Sequence, residues 1–210
     1  MSKIVIDKLS KKIGETLILD DISIEFQPGK IYGIRGKNGC GKTMLLRCIA
    51  GLIKPTSGKV LIDGEELNND NPFPKSIGLL LENPCFLPEY SGFENLKILQ
   101  CIEKKYNEAE INEALNRVGL DEGKKIYRKF SLGMKQKLGI AYAILGEPDI
   151  ILLDEPINAV DENSVALIKQ TLFELKDKGK TIIVVCHDKS ELQILSDEIF
   201  VMAGGRISKE

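Results

Sequence analysis

The chain has 210 residues, 43% hydrophobic and 29% charged, which suits one well-buried domain, with at most a subdomain, rather than two independent ones. Lys+Arg 29 against Asp+Glu 31 leaves a formal net charge of −2, and without a long basic stripe no nucleic acid partner is expected. No apolar run approaches the roughly 18 residues that cross a bilayer, and the N-terminus lacks a signal peptide's apolar core, so a cytoplasmic chain is expected. Five cysteines (Cys40, Cys48, Cys85, Cys101 and Cys186) with no C-x-x-C point to reduced thiols, not to a disulfide framework or a zinc site. In chain order, β-rich runs come first, at 3–6, 22–26, 30–34 and 58–62, the last closed by the turn signal Asp63-Gly64; they predict a partly antiparallel layer. Ile77-Gly78-Leu79-Leu80-Leu81 reads as a buried strand, after which the pattern turns helical. Ser91-x-x-Glu94 is a capping box. Asn107-x-x-Glu110 opens a run with Ile111, Ala114, Leu115 and Val118 at helical spacing, stopped by Gly119, so a helical insert is expected over about 83–146. Beyond it come the strand Ile150-Ile151-Leu152-Leu153, a helix carrying Val165, Ile168, Leu172 and Leu175, a strand at 181–186, and a last strand near 199–201. About ten residues remain after that, so no C-terminal regulatory domain is expected. Strands alternating with helices predict an α/β fold with a parallel sheet covered on both faces.

Two segments carry chemistry. Gly36-Lys37-Asn38-Gly39-Cys40-Gly41-Lys42-Thr43 fits G-x-x-x-x-G-K-[ST] and sits between the apolar run Lys30-Ile31-Tyr32-Gly33-Ile34 and the helix-like Met44-Leu45-Leu46-Arg47-Cys48-Ile49-Ala50, so the chain is expected to bind a nucleoside triphosphate. Glycines let the backbone curl until successive N–H groups point at phosphate oxygens, the helix N-terminus adds its partial positive charge, and Lys42 reaches the terminal phosphates while Thr43 holds Mg²⁺. Cys40, at a helix N-terminus beside Lys42, is read as a small residue filling the loop; reactivity blocked by Mg-ATP is the sharper alternative. The strand 150–153 ends in Asp154-Glu155-Pro156. A carboxylate leaving the C-terminal edge of a parallel sheet beside a phosphate loop is placed to organise Mg²⁺, which is the part given to Asp154, and its neighbour Glu155 is the candidate base that polarises water.

Phe130-Ser131-Leu132-Gly133-Met134-Lys135-Gln136 reads as a capped helix start, Ser131 serving as N-cap and the small Gly133 allowing close backbone approach. Taken in order, the phosphate loop, this segment, Asp154-Glu155, Asn158-Ala159-Val160-Asp161 and His187 resemble the nucleotide-binding subunit of a bacterial ABC transporter, over nearly the whole chain. In the family's L-S-G-G-Q signature Ser131 and Gly133 match, while Phe130, Leu132 and Met134 depart. The resemblance implies a P-loop NTPase with a parallel-sheet core, an N-terminal antiparallel β layer and a helical subdomain. It also implies ATP and Mg²⁺ as cofactors and a head-to-tail dimer with itself or a related subunit. Each ATP then lies between the phosphate loop of one copy and Ser131 and Gly133 of the other. By the same resemblance Asp161 belongs to a loop that touches the partner, and His187 contacts the γ-phosphate and keeps Glu155 in line. Separate membrane permease subunits would dock on the helical insert, placing the chain on the inner face of the cell membrane.

Two departures from the family pattern stand out. Glu82 occupies the place of a common glutamine, which resembles the lantibiotic and bacitracin immunity subgroup and suggests export of an antimicrobial peptide or drug; Glu82 is expected to bind Mg²⁺ or its water, or to swing away from the phosphate. Near the N-terminus, Lys11-Lys12-Ile13-Gly14 stands where relatives stack an aromatic on adenine, so weak discrimination between ATP and GTP is expected. The alternative from another class is a soluble ABC ATPase of a non-transport assembly machine. A small GTPase or nucleotide kinase shares the phosphate loop but predicts neither the signature segment nor Asp154-Glu155 with His187.

Overall fold

The computed structural model describes residues 1–103, 106–120 and 125–210. Its first half runs β1 (Ile4–Ile13), β2 (Thr16–Phe26), β3 (Lys30–Arg35), α1 (Lys42–Ile49), β4 (Ser57–Ile62), β5 (Glu65–Glu66) and β6 (Ile77–Leu80). Helices α2 (Gly92–Glu103), α3 (Glu108–Arg117) and α4 (Leu132–Ile144) follow. The chain then alternates through β7 (Ile150–Asp154), α5 (Glu162–Asp177), β8 (Thr181–Val185), α6 (Lys189–Leu195), β9 (Glu198–Ala203) and β10 (Arg206–Lys209). Among the described residues no helix is long and apolar enough to cross a membrane.

The strands make two sheets. An antiparallel layer has the order β2-β1-β4-β5, and a six-stranded sheet has the order β10-β9-β3-β8-β7-β6, parallel except for the edge strand β10. Side chains alternate across a strand, so each buried strand of the second sheet feeds two cores. Tyr32, Ile34, Ile150, Leu152, Ile183 and Val185 face the antiparallel layer and α1. Ile31, Ile151, Leu153, Ile182 and Val184 face α4, α5 and the α3 side. Helix α4 lies so close on β6 that a Cβ on Gly78 would run into the Ala143 carbonyl.

Both capping boxes form: Ser91 N–H donates to Glu94 Oε2 at 2.7 Å, and Asn107 caps α3 while Glu110 reaches back to its amide. The expected insert at 83–146 includes residues 104–105 and 121–124, which lie outside the described residues. Strands β1 and β2 run much further than the apolar runs 3–6 and 22–26 foretold. Their outer halves expose most side chains and bury chiefly Leu9 and Leu19, so pairing through the tight Gly14 turn, not periodicity, extends them. The strand near 199–201 is not the last; Gly204-Gly205, both at positive φ, turn the chain back into β10.

Candidate functional site

Residues 36–41 link the buried strand β3 to α1. Gly41 closes the turn at φ 110, and a Cβ there would lie 2.8 Å from Met202 Cε and 2.9 Å from the Ile18 carbonyl, so glycine alone fits. Lys42 opens α1, is almost buried, and its Nζ donates to the carbonyls of Gly36 (2.7 Å) and Lys37 (3.2 Å), which holds the ammonium over the mouth of the loop. Cys40 packs against the core of the antiparallel side and over Gly36, in keeping with a space-filling residue.

Thr43, one residue on, donates its hydroxyl to Asp154 Oδ2 at 2.5 Å, across 111 residues of sequence. The register explains the meeting. β3 and β7 flank β8, and all three end on the same edge, where α1 begins. Burial pushes the Asp154 carboxyl above its ordinary range; the Thr43 hydrogen bond and Lys42 pull it back, while Glu155 and Glu82 add to the upward push. A buried acid pressed by like charges and paired with a hydroxyl is an all-oxygen donor set that suits a hard divalent cation such as Mg²⁺.

Glu155 leaves β7 in the left-handed region, φ 50, with its amide still donating to the Val185 carbonyl at 2.8 Å. A non-glycine residue there costs on the order of 1 kcal/mol and is retained where the side chain has to be aimed. Its Oε2 lies 3.0 Å from His187 Nδ1 and accepts from Asn158 Nδ2 at 3.3 Å, and its carbonyl accepts from Gln136 Nε2 on α4 at 2.8 Å. Glu82 leaves β6 in the same backbone conformation, φ 57, but its Oε1 pairs with Arg47 Nη2 at 2.7 Å. Glu82 lines the same cleft as Asp154, and its charge is felt there.

A cleft of about 590 Å³ brings Asn38, Gly39, Gly41, Lys42 and Thr43 together with Glu82, Asp154 and Glu155. Gly36, Lys37, Cys40 and His187 are not among the lining residues, His187 being joined to the lining through Glu155. Ser131 and Gly133 do not line it. Ser131 is exposed and caps α4 by accepting from the Met134 amide at 3.2 Å, and Gly133 is pressed against the loop before α5, where a Cβ would run into the Ala159 carbonyl. Asp161 caps α5 by accepting from the Ser164 amide at 3.0 Å, which holds its carboxyl down at about 2. The buried Lys137 spans the two elements, donating to the Gly119 carbonyl at 2.8 Å and the Ser164 hydroxyl at 3.1 Å, with Asp161 Oδ2 at 3.4 Å.

Sequence reasoning missed three residues. Arg47 stands four residues after Thr43 on the same helix face, a spacing that placed it within reach of the site. Gln136 had no signal separating it from Lys135 and Lys137. Ile13 sits exposed at the β1–β2 turn and does not line the cleft, whereas Ile18 does.

The ABC transporter family model matches residues 19–158. YybJ of Bacillus subtilis, described as an uncharacterized ABC transporter ATP-binding protein, is 50% identical over 200 residues, covering 95% of this chain and 92% of its own. BcrA of Enterococcus faecalis, a bacitracin transport ATP-binding protein, is 37% identical over 207 residues, with 97% and 67% covered. The dimeric post-hydrolysis structure of the ATP-binding cassette MJ0796 bound to ADP and Pi matches with a TM-score of 0.89 at 26% identity, covering 99% of this chain and 97% of that one. These matches favour a transporter subunit over a non-transport assembly ATPase. The chain therefore belongs to the ABC transporter family, as an ATP-hydrolysing subunit of the kind that dimerises and energises transport by membrane partners.

Proposed function

We propose that this chain pairs head to tail with a second copy, each ATP lying between the phosphate loop of one and Ser131 and Gly133 of the other, and that closure drives export of a peptide antibiotic through separate permease subunits. The observation that carries the reading is the array Thr43–Asp154–Glu155–His187, with a 2.5 Å bond at one end and a 3.0 Å contact at the other. Thr43 and Asp154 hold Mg²⁺, whose chemistry there is to neutralise charge on the phosphate oxygens. Lys42 and the loop amides take the phosphates, and Glu155 accepts the proton of the attacking water. His187, donating from Nδ1, keeps that carboxylate in line. Ser131 is exposed and is not among the residues lining its own chain's cleft, which suits a group that serves a partner's nucleotide. The whole assembly then sits on the inner face of the membrane with its helical subdomain toward the permease. The substrate class rests on Glu82 and on likeness to BcrA, whose name specifies bacitracin transport.

Glu155→Gln keeps the shape of the acid and removes the base. In Mg-ATP the variant should elute as a dimer by size exclusion with light scattering, with hydrolysis falling on the order of a hundredfold or more, as loss of a general base does. A variant that stays monomeric and turns ATP over at the parent rate refutes the proposal.

A further inference from the structure

β7 and β8 run side by side with Asp154 opposite Val185, so the residues just past their ends, Glu155 and Cys186, emerge next to each other. The left-handed turn at Glu155 aims its carboxylate across the strand ends, and His187 follows Cys186 directly. In consequence a carboxylate oxygen of Glu155, Cys186 Sγ and a ring nitrogen of His187 all lie within 4.8 Å of one another, and Glu155 Oε2 and His187 Nδ1 are 3.0 Å apart.

One thiol, one imidazole and one carboxylate form the mixed donor set of a borderline-soft divalent cation, bound at about 2.0–2.3 Å from each ligand atom. Ligands on such a tetrahedral ion stand roughly 3.3–3.7 Å apart, which side-chain rotations of an ångström or so achieve here. Mg²⁺ prefers hard oxygens and does not compete for the thiol, so this set is chemically distinct from the Thr43–Asp154 pair one residue away. Cys186 is buried and makes the floor, while the exposed His187 makes the mouth through which an ion enters. Asp188, the nearest acid along the chain, is occupied in capping α6 through the amides of Ser190 and Glu191, which leaves water as the fourth ligand.

We propose that Glu155, Cys186 and His187 form a binding site for a zinc-class divalent cation, and that its occupation halts ATP turnover by withdrawing the Glu155 carboxylate. The second half rests on the proposed role of Glu155 as base. Binding expels one proton, from the Cys186 thiol to solvent, and breaks the Glu155–His187 hydrogen bond, the imidazole proton residing on whichever ring nitrogen does not bind the ion. No C-x-x-C announces the site in the sequence; strand register assembles it.

The test uses Co²⁺ as probe on the full chain without nucleotide, in excess Mg²⁺. The visible bands of a four-coordinate site and a thiolate-to-cobalt charge-transfer band are expected, and Zn²⁺ should displace both. Cys186→Ser and Cys186→Ala should each lose the charge-transfer band and bind Zn²⁺ at least about 10–100-fold more weakly, the loss that even an outer partner of a ligand causes. Two variants guard against one that fails to fold. A charge-transfer band that survives in both, or is missing from the parent chain, overturns the site. Inhibition is read separately, as Zn²⁺ sensitivity of each variant's turnover relative to its own zinc-free rate. Cobalt bound through Cys186 with turnover unaffected by saturating Zn²⁺ leaves the site standing and overturns the part assigned to Glu155.

Discussion

Replacing Arg47 with alanine strips the partner from Glu82 and tests what that ion pair is for. Arg47 Nη2 and Glu82 Oε1 are 2.7 Å apart, with 34% and 61% of their side chains exposed, so the pair itself stabilises the fold by well under about 1 kcal/mol. Its effect on nucleotide is expected to be larger. A bare carboxylate about 5 Å from a γ-phosphate meets repulsion of roughly 3 kcal/mol at an effective dielectric near 20. Because Glu82 is mostly exposed, water removes about half of that, leaving roughly 1.4 kcal/mol, or about tenfold weaker ATP binding. Titration with a fluorescent ATP analogue in Mg²⁺ measures the change, and added salt should shrink it. Arg47→Ala/Glu82→Gln should bind like the parent chain, since the charge needing an escort is gone. Undiminished affinity in Arg47→Ala, or equal weakening in the double variant, refutes the reasoning.

Three further outcomes are expected. The Asp154 carboxyl is raised by burial, so its contribution to stability is present below the ordinary 3.8 and lost as pH rises through the elevated folded value; Asp154→Asn should therefore melt higher than the parent chain at pH 7 in chelator, and the gap should close on acidification. Asp161 is held down at about 2 by the Ser164 amide, so the stability it gives is full above 3.8 and disappears as pH falls toward 2; Asp161→Asn should differ from the parent in urea unfolding at neutral pH and converge with it in acid. Gly133→Ala drives a methyl into the Ala159 carbonyl and should cost about 1–3 kcal/mol, read as a lower urea midpoint at unchanged slope; an unaltered midpoint would contradict the contact.

What could be read in advance was chemistry packed into contiguous residues. Phosphate binding demands glycines, a lysine and a hydroxyl in one uninterrupted stretch, so 36–43 announced itself, and two acids at the end of the apolar run 150–153 had no structural reason to be there. Contacts set by how elements pack stayed hidden. Gln136 meets the Glu155 carbonyl only because α4 is pulled onto β6 at Gly78, and Glu82 meets Arg47 across 35 residues. The outer halves of β1 and β2 mix polar with apolar side chains, Ile13 and Leu17 among the exposed ones, and so lack the alternation that marks a half-buried strand. Cys186 looked like one more reduced thiol because its nearness to Glu155 is a property of parallel register, invisible in either segment alone.

The tight seat of Gly133 on Ala159, bolted a second time by Lys137 to Ser164, makes one plate of the first turns of α4 and the entry to α5. Such a plate cannot be engaged piecemeal. In the head-to-tail pair proposed above, an incoming copy a few ångströms out of place would miss both edges together, so a faulty assembly is expected to gain no foothold.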